Sequence, residues 1–190
     1  MSEPSAIAAE FLEGSPKPSL SVSDRLAVSG AALFVVMLAV AAYWDPGIRV
    51  LHSFEAVPYL LAATLIITRR RYGYVLGVAA AMFWLWTAGF LTTFIKNGFE
   101  RLITLVQTGH VDRWDVFIAV PAALGTGALL VFSGISYFRS ANKSRLDALA
   151  FLGTMAAVAV FFILLFRMFA PQYLGMFGTL LPDVLRPKGA

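Results

Sequence analysis

A chain of 190 residues that is 59% hydrophobic, with a mean hydropathy of +0.76, is too apolar to be a soluble domain of its size. Its charged residues, 14% of the total, fall in clusters between long uncharged stretches, the pattern of a chain alternating between lipid and water. The net charge of +4 and a pI of about 9.6 come from bases flanking apolar runs rather than from one basic stripe, which argues against nucleic-acid binding. The absence of cysteine excludes disulfides, thiolate metal sites, cysteine nucleophiles and c-type haem attachment.

Residues 1–25 carry Glu3, Glu10, Glu13 and Asp24 against Lys17 and Arg25 before any long apolar run, the reverse of a signal peptide's basic start. They read as a flexible cytoplasmic tail, although Ala39-Val40-Ala41 imitates a cleavage site. Residues 26–44 are uncharged and long enough, at 1.5 Å per residue, to cross a hydrocarbon core of about 30 Å. Asp45-Pro46-Gly47 ends this first span. The wholly apolar part of the second, residues 56–68, is too short to cross alone, so the span is predicted over 48–68, with Arg49, His52 and Glu55 in its outer turns and Pro58 as a bend. Arg69, Arg70 and Arg71 close it.

The third span is predicted over 74–95, rich in aromatics, the fourth over 116–138 and the fifth over 149–166. Between the third and fourth, Phe99, Leu102, Ile103 and Val106 recur opposite Glu100, Arg101, Thr104 and Gln107, so 98–108 reads as an interfacial amphipathic helix, with Asn97 and Glu100 as its N-terminal cap and Gly109 as its stop. The tail at 169–190 is broken by Pro171, Gly175, Gly178 and Pro182, and no sixth crossing is expected. The predicted fold is therefore an all-α polytopic transmembrane bundle of five spans, occupying 26–168, plus one interfacial helix.

The turns at 69–71 and 139–145 hold Arg69, Arg70, Arg71, Arg139, Lys143 and Arg145 and no acid, which places them in the cytoplasm, with the N-terminus inside and the C-terminal tail outside a bacterial-type plasma membrane. An Ala-Val-Pro at 56–58 and again at 119–121, with Trp-Asp at 44–45 and 114–115, suggests a duplicated hairpin, but chance matches in so apolar a composition are the favoured reading.

Ionisable side chains inside a membrane are expensive, and the second span alone carries them in its predicted interior, with Arg49, His52, Glu55 and Tyr59 on one helical stripe. An imidazole and a carboxylate three residues apart can share a proton, which suits relay or pH sensing; the blander alternative sets the stripe at headgroup depth. His110 and Asp112 are on the same predicted side, so His52, Glu55, His110 and Asp112 form a weak metal constellation, and His52 with His110 an even weaker haem pair. No cofactor is expected. Gly73, Gly77 and Ala81, Ala123 and Gly127, and Gly153 and Ala157 are small residues at helical spacing that suit close packing, self-association or other membrane subunits in addition to the lipid bilayer. No phosphate loop, HExxH or GxSxG is present. The leading reading is a non-catalytic accessory or interaction subunit. The alternatives are a transporter or channel component using the polar stripe and, last, a metal- or quinone-linked enzyme.

Overall fold

The structure is a computed structural model that describes residues 19–111, 113–140 and 146–179. In chain order it contains α1 (Val22–Trp44), a 3₁₀ turn (Pro46–Ile48), α2 (Arg49–Ile67), α3 (Tyr72–Trp86), a π turn (Thr87–Leu91), α4 (Phe94–Thr108), α5 (Trp114–Phe117), α6 (Ala119–Arg139), α7 (Leu146–Phe169) and α8 (Gln172–Thr179). Helices α1, α2, α3, α6 and α7 are long and apolar enough to cross a membrane. With the amphipathic α4 they form the all-α polytopic bundle expected from sequence.

The first four spans close a ring: α1 packs on α2, α2 on α3, α3 on α6, and α6 returns to α1. Helix α7 lies outside this ring against α3 and α2. The α1/α6 seam is made by Gly30 and Gly125, where a Cβ on Gly30 would come 2.6 Å from the Gly125 carbonyl oxygen. This is the close approach that small residues permit in a membrane, where apolar surface gains nothing by leaving lipid. The sequence pairing of Ala123 with Gly127 is out of phase with the seam, since a methyl added at Gly127, and likewise at Gly153, would meet nothing within 4 Å. Gly73 and Gly77 do sit at interfaces, against Leu65 and Ile66 of α2 and against Ser133 and Leu129 of α6.

Several boundaries differ from the predicted ones for identifiable reasons. Helix α1 begins at Val22 rather than 26 because Ser21 and Asp24 form a capping box: the Ser21 hydroxyl accepts from the Asp24 N–H (3.1 Å) and the Asp24 carboxylate accepts from the Ser21 N–H (3.2 Å). Asp24 is thereby carried into the bundle, 5% exposed. The rest of the expected flexible tail, residues 1–18, lies outside the described residues. Helix α3 stops short of 95 because the π turn and a left-handed Thr93 (φ 54°) redirect the chain. Helix α4 therefore starts at Phe94, with Asn97 inside it rather than capping it, and ends as expected at a left-handed Gly109. Buried Gly98 seats α4 on Ala119, while Phe99, Ile103 and Val106 are exposed on its outer side.

The fourth span loses its first turn to α5, and the fifth is longer at both ends than 149–166. Helix α8 lies within the predicted tail; residues 180–190 and 141–145 lie outside the described residues, and with them Lys143 and Arg145. The two Ala-Val-Pro segments are not equivalent, one lying about two turns into α2 and the other opening α6.

Candidate functional site

On the α4 side of the bundle, a partly open cavity of about 320 Å³ lies among α1, α2, α3, the start of α5 and α6, α7 and α8, so that α7 and α8 supply walls from outside the four-helix ring. Its walls are mainly aromatic and aliphatic, with Phe83, Trp84, Phe94, Phe162 and Phe166 among them. Its polar groups are Asp45, His52, Glu55, Thr87, Thr92, Arg113 and Tyr173. Mostly apolar walls with a few convergent polar groups are the usual make-up of a small-molecule site.

Glu55 is the most buried of the charged groups lining it, 6% exposed. Its partner comes from its own helix: His52 Nδ1 is 2.6 Å from Glu55 Oε2, the distance of a charge-assisted hydrogen bond. With the carboxylate ionised, Nδ1–H is the donor. The i, i+3 spacing on α2 produces this contact, and the helix runs through Pro58 to place Tyr59 one turn below. Tyr59 is fully buried and donates its hydroxyl to the Ala80 carbonyl of α3 (3.2 Å). Its ring lies against Phe34 (centroids 4.0 Å apart), and Phe34 meets Trp84 edge-on at 4.9 Å. Trp84 lines the cavity, with Phe34 and Tyr59 packed behind it.

The other predicted residues are placed differently. Arg49 is exposed and outside the cavity, its Nε donating to the Ala42 carbonyl (3.3 Å), so the four-residue stripe divides into a surface arginine, a cavity pair and a buried tyrosine. His110 is exposed beyond the end of α4 and does not reach His52 or Glu55. Asp112 lies outside the described residues, and among those described no group of three or more metal-ligating side chains converges.

Sequence reasoning missed Asp45, Thr87, Thr92, Arg113 and Tyr173. Asp45 does more than end a span: its Oδ1 caps the 3₁₀ turn, accepting from the Gly47 N–H at 2.9 Å. Thr87 and Thr92 bracket the π turn and bond backward, to the Phe83 carbonyl (2.8 Å) and the Thr87 carbonyl (3.3 Å). Tyr173 comes from α8, where its ring packs on Phe166. Burial, and then the negative charges of Glu55 and Asp45, hold its phenol above the ordinary tyrosine range, so it remains a proton donor at the rim.

The opposite half of the ring carries a second polar cluster. Asp24 Oδ1 accepts from Tyr74 (2.9 Å) and from Ser136 (2.7 Å), whose oxygen is also 2.9 Å from Ser23 Oγ. Beside it, Arg71 pairs with Asp147 at 2.6 Å, tying α3 to α7, and Tyr137 reaches the same carboxylate at 3.3 Å. In the sequence Asp24 and Asp147 each fall just outside an uncharged run, the position of a residue in water. No protein family, curated protein or solved structure matches this chain.

Proposed function

We propose that this multi-pass membrane protein binds a lipophilic organic cation in the aromatic cavity and exchanges a proton for it at the His52–Glu55 pair. The observation carrying this reading is the setting of Glu55, which is 6% exposed and lines a mainly apolar cavity with His52 hydrogen-bonded beside it. An accessory subunit would not need a buried imidazole–carboxylate pair there, since leaving charge out of water is costly without a partner or a task. Aromatic faces attract cations through their quadrupoles, and a carboxylate beneath them supplies the complementary charge. A bound cation supplies the positive charge that a proton shared by His52 and Glu55 would otherwise give the pair, so cation and proton compete for the site.

The predicted orientation complements this reading. With the basic end at Arg69, Arg70, Arg71 and Arg139 in the cytoplasm of a plasma membrane, the cavity lies in the outer half.

Calorimetric titration of the purified chain with tetraphenylphosphonium, in buffers of different ionisation enthalpy, tests both halves of the reading. Binding accompanied by proton release is expected, and Glu55→Gln should weaken it at least about thirtyfold, the loss that follows from removing one partner of a desolvated charge pair. Equal binding by Glu55→Gln and the parent protein would refute it.

A further inference from the structure

The charged ends of the spans mark the edges of the bilayer. Arg25 and Asp45 bracket α1, Arg49 and Arg69 bracket α2, and Asp147 and Arg167 bracket α7, each pair about 30 Å apart at 1.5 Å per residue, the thickness of a hydrocarbon core. The same length back along α6 from Arg139 reaches Ala119. One boundary therefore runs through Asp45, Arg49, Ala119 and Arg167, with Glu55 about 9 Å inside it. The stacked, exposed indoles of Trp44 and Trp114 stand at this level, where tryptophan collects in membrane proteins.

Helix α4 is seated on the same boundary. A Cβ on Gly98 would come 2.9 Å from the Ala119 Cβ and 3.1 Å from the Val116 carbonyl oxygen, and Phe94 and Ile95 pack on the core of the ring. Around α4, at 100° per residue, three arcs follow one another: Phe94, Ile95 and Gly98 against the ring, then exposed Phe99, Ile103 and Val106, then exposed Lys96, Glu100 and Gln107. An upright helix crossing the boundary would change polarity along its axis. A change around the axis is that of a helix lying where lipid meets water.

The joint between α4 and the cavity is strained. Thr92 and Phe94 line the cavity, and between them Thr93 is held at φ 54°, a left-handed conformation that a β-branched residue avoids. Such a residue stays there only where its surroundings over-determine it. On one side it is fixed by the π turn, whose Thr87 carbonyl accepts from the Thr92 N–H at 2.9 Å. On the other it depends on where α4 rests.

We propose that α4 docks on the bilayer surface with Phe99, Ile103 and Val106 among the acyl chains, and that this contact with lipid holds Thr93 left-handed and Phe94 in the cavity wall. The cavity is thereby shaped by lipid as well as by protein. When α4 leaves the surface Thr93 relaxes, and Phe94, the first residue of the helix, moves with it.

The chain has no cysteine, so single thiols can be placed in the full chain in phosphatidylcholine vesicles. Spin labels at Phe99→Cys and Ile103→Cys should collide with oxygen in preference to a water-soluble nickel chelate, and labels at Glu100→Cys and Gln107→Cys should do the reverse. Phe94→Cys should react with a water-soluble maleimide at least about tenfold faster when combined with Ile103→Asp, the effect of about 1.4 kcal/mol. Combined with Gln107→Asp, whose charge is on the water side, it should react at its own unchanged rate. Nickel access at all four labelled positions would leave no docked helix, and shielding of positions 99 and 103 from both reagents would mean a protein partner in place of lipid; either overturns the proposal. So does equal reactivity at position 94 beside Ile103→Asp and Gln107→Asp. Neither measurement uses a cation, so these outcomes are separate from those of the calorimetric titration.

Discussion

Substituting Gly30 with alanine should destabilise the bundle more than its single methyl suggests, because the α1/α6 seam has no room on either side. The added carbon would meet the Gly125 carbonyl oxygen at 2.6 Å, the Leu129 nitrogen at 2.7 Å and the Ala128 Cβ at 3.0 Å. Ordinary contact begins near 3.4 Å, so the helices would have to part by up to 0.8 Å. Two of the three obstructing atoms are backbone and cannot rotate away. Separation on that scale forfeits a quarter to a half of the dispersion well of each contact along the seam, where Ala27, Ala31 and Phe34 are almost completely buried. Overpacking of this kind costs about 1–3 kcal/mol, and a backbone clash belongs to the upper half of that range. Gly127→Ala is the matched control on the same helix pair: its methyl meets nothing within 4 Å, and alanine is intrinsically the better helix former by about 1 kcal/mol. Unfolding of the detergent-solubilised protein by titrated SDS reads both. Gly30→Ala and Gly127→Ala unfolding at the same denaturant fraction would refute the argument.

Two further outcomes are expected. An enzyme reporter active only outside the cell should work when fused after Gln107 and stay silent after Arg71, and the reverse pattern would invert the proposed orientation. The phenol of Tyr173 has its folded-state pKa raised, by burial first and then by Glu55 and Asp45. Its neutral form is therefore favoured on folding, and the stability this contributes is complete below the ordinary tyrosine value near 10 and lost as the pH rises through the folded one. Tyr173→Phe should flatten the alkaline limb of stability against pH, and Glu55→Gln should move tyrosinate absorbance at position 173 to lower pH; an unchanged limb and titration would remove Tyr173 from the rim.

The five spans were legible because lipid imposes a length and an apolarity on each crossing that few other pressures imitate, and the amphipathic α4 because its two faces differ so sharply. His52 and Glu55 were legible for a related reason: thirteen apolar residues at 56–68 could not cross alone, which forced the two polar groups inward. The rest of the site was not. Thr87 and Thr92 matter because of a π turn, an extra residue in the helical register that a strict 100° step cannot reveal. Tyr173 belongs to a segment whose prolines and glycines read only as an interruption. Asp24 escapes a reading in which charge marks the end of a span, because a capping box lets a carboxylate sit inside the first turn with its hydrogen bonds made.

The same capping geometry explains why the two carboxylates of the ring differ. Asp24 has a full set of donors, from the Ser21 N–H, Tyr74 and Ser136, and is a satisfied anion held at one end. Among the described residues Glu55 has one side-chain hydrogen-bond partner, His52, and it otherwise faces the cavity. The difference arises from helix capping at Asp24 and from the i, i+3 helix spacing at Glu55.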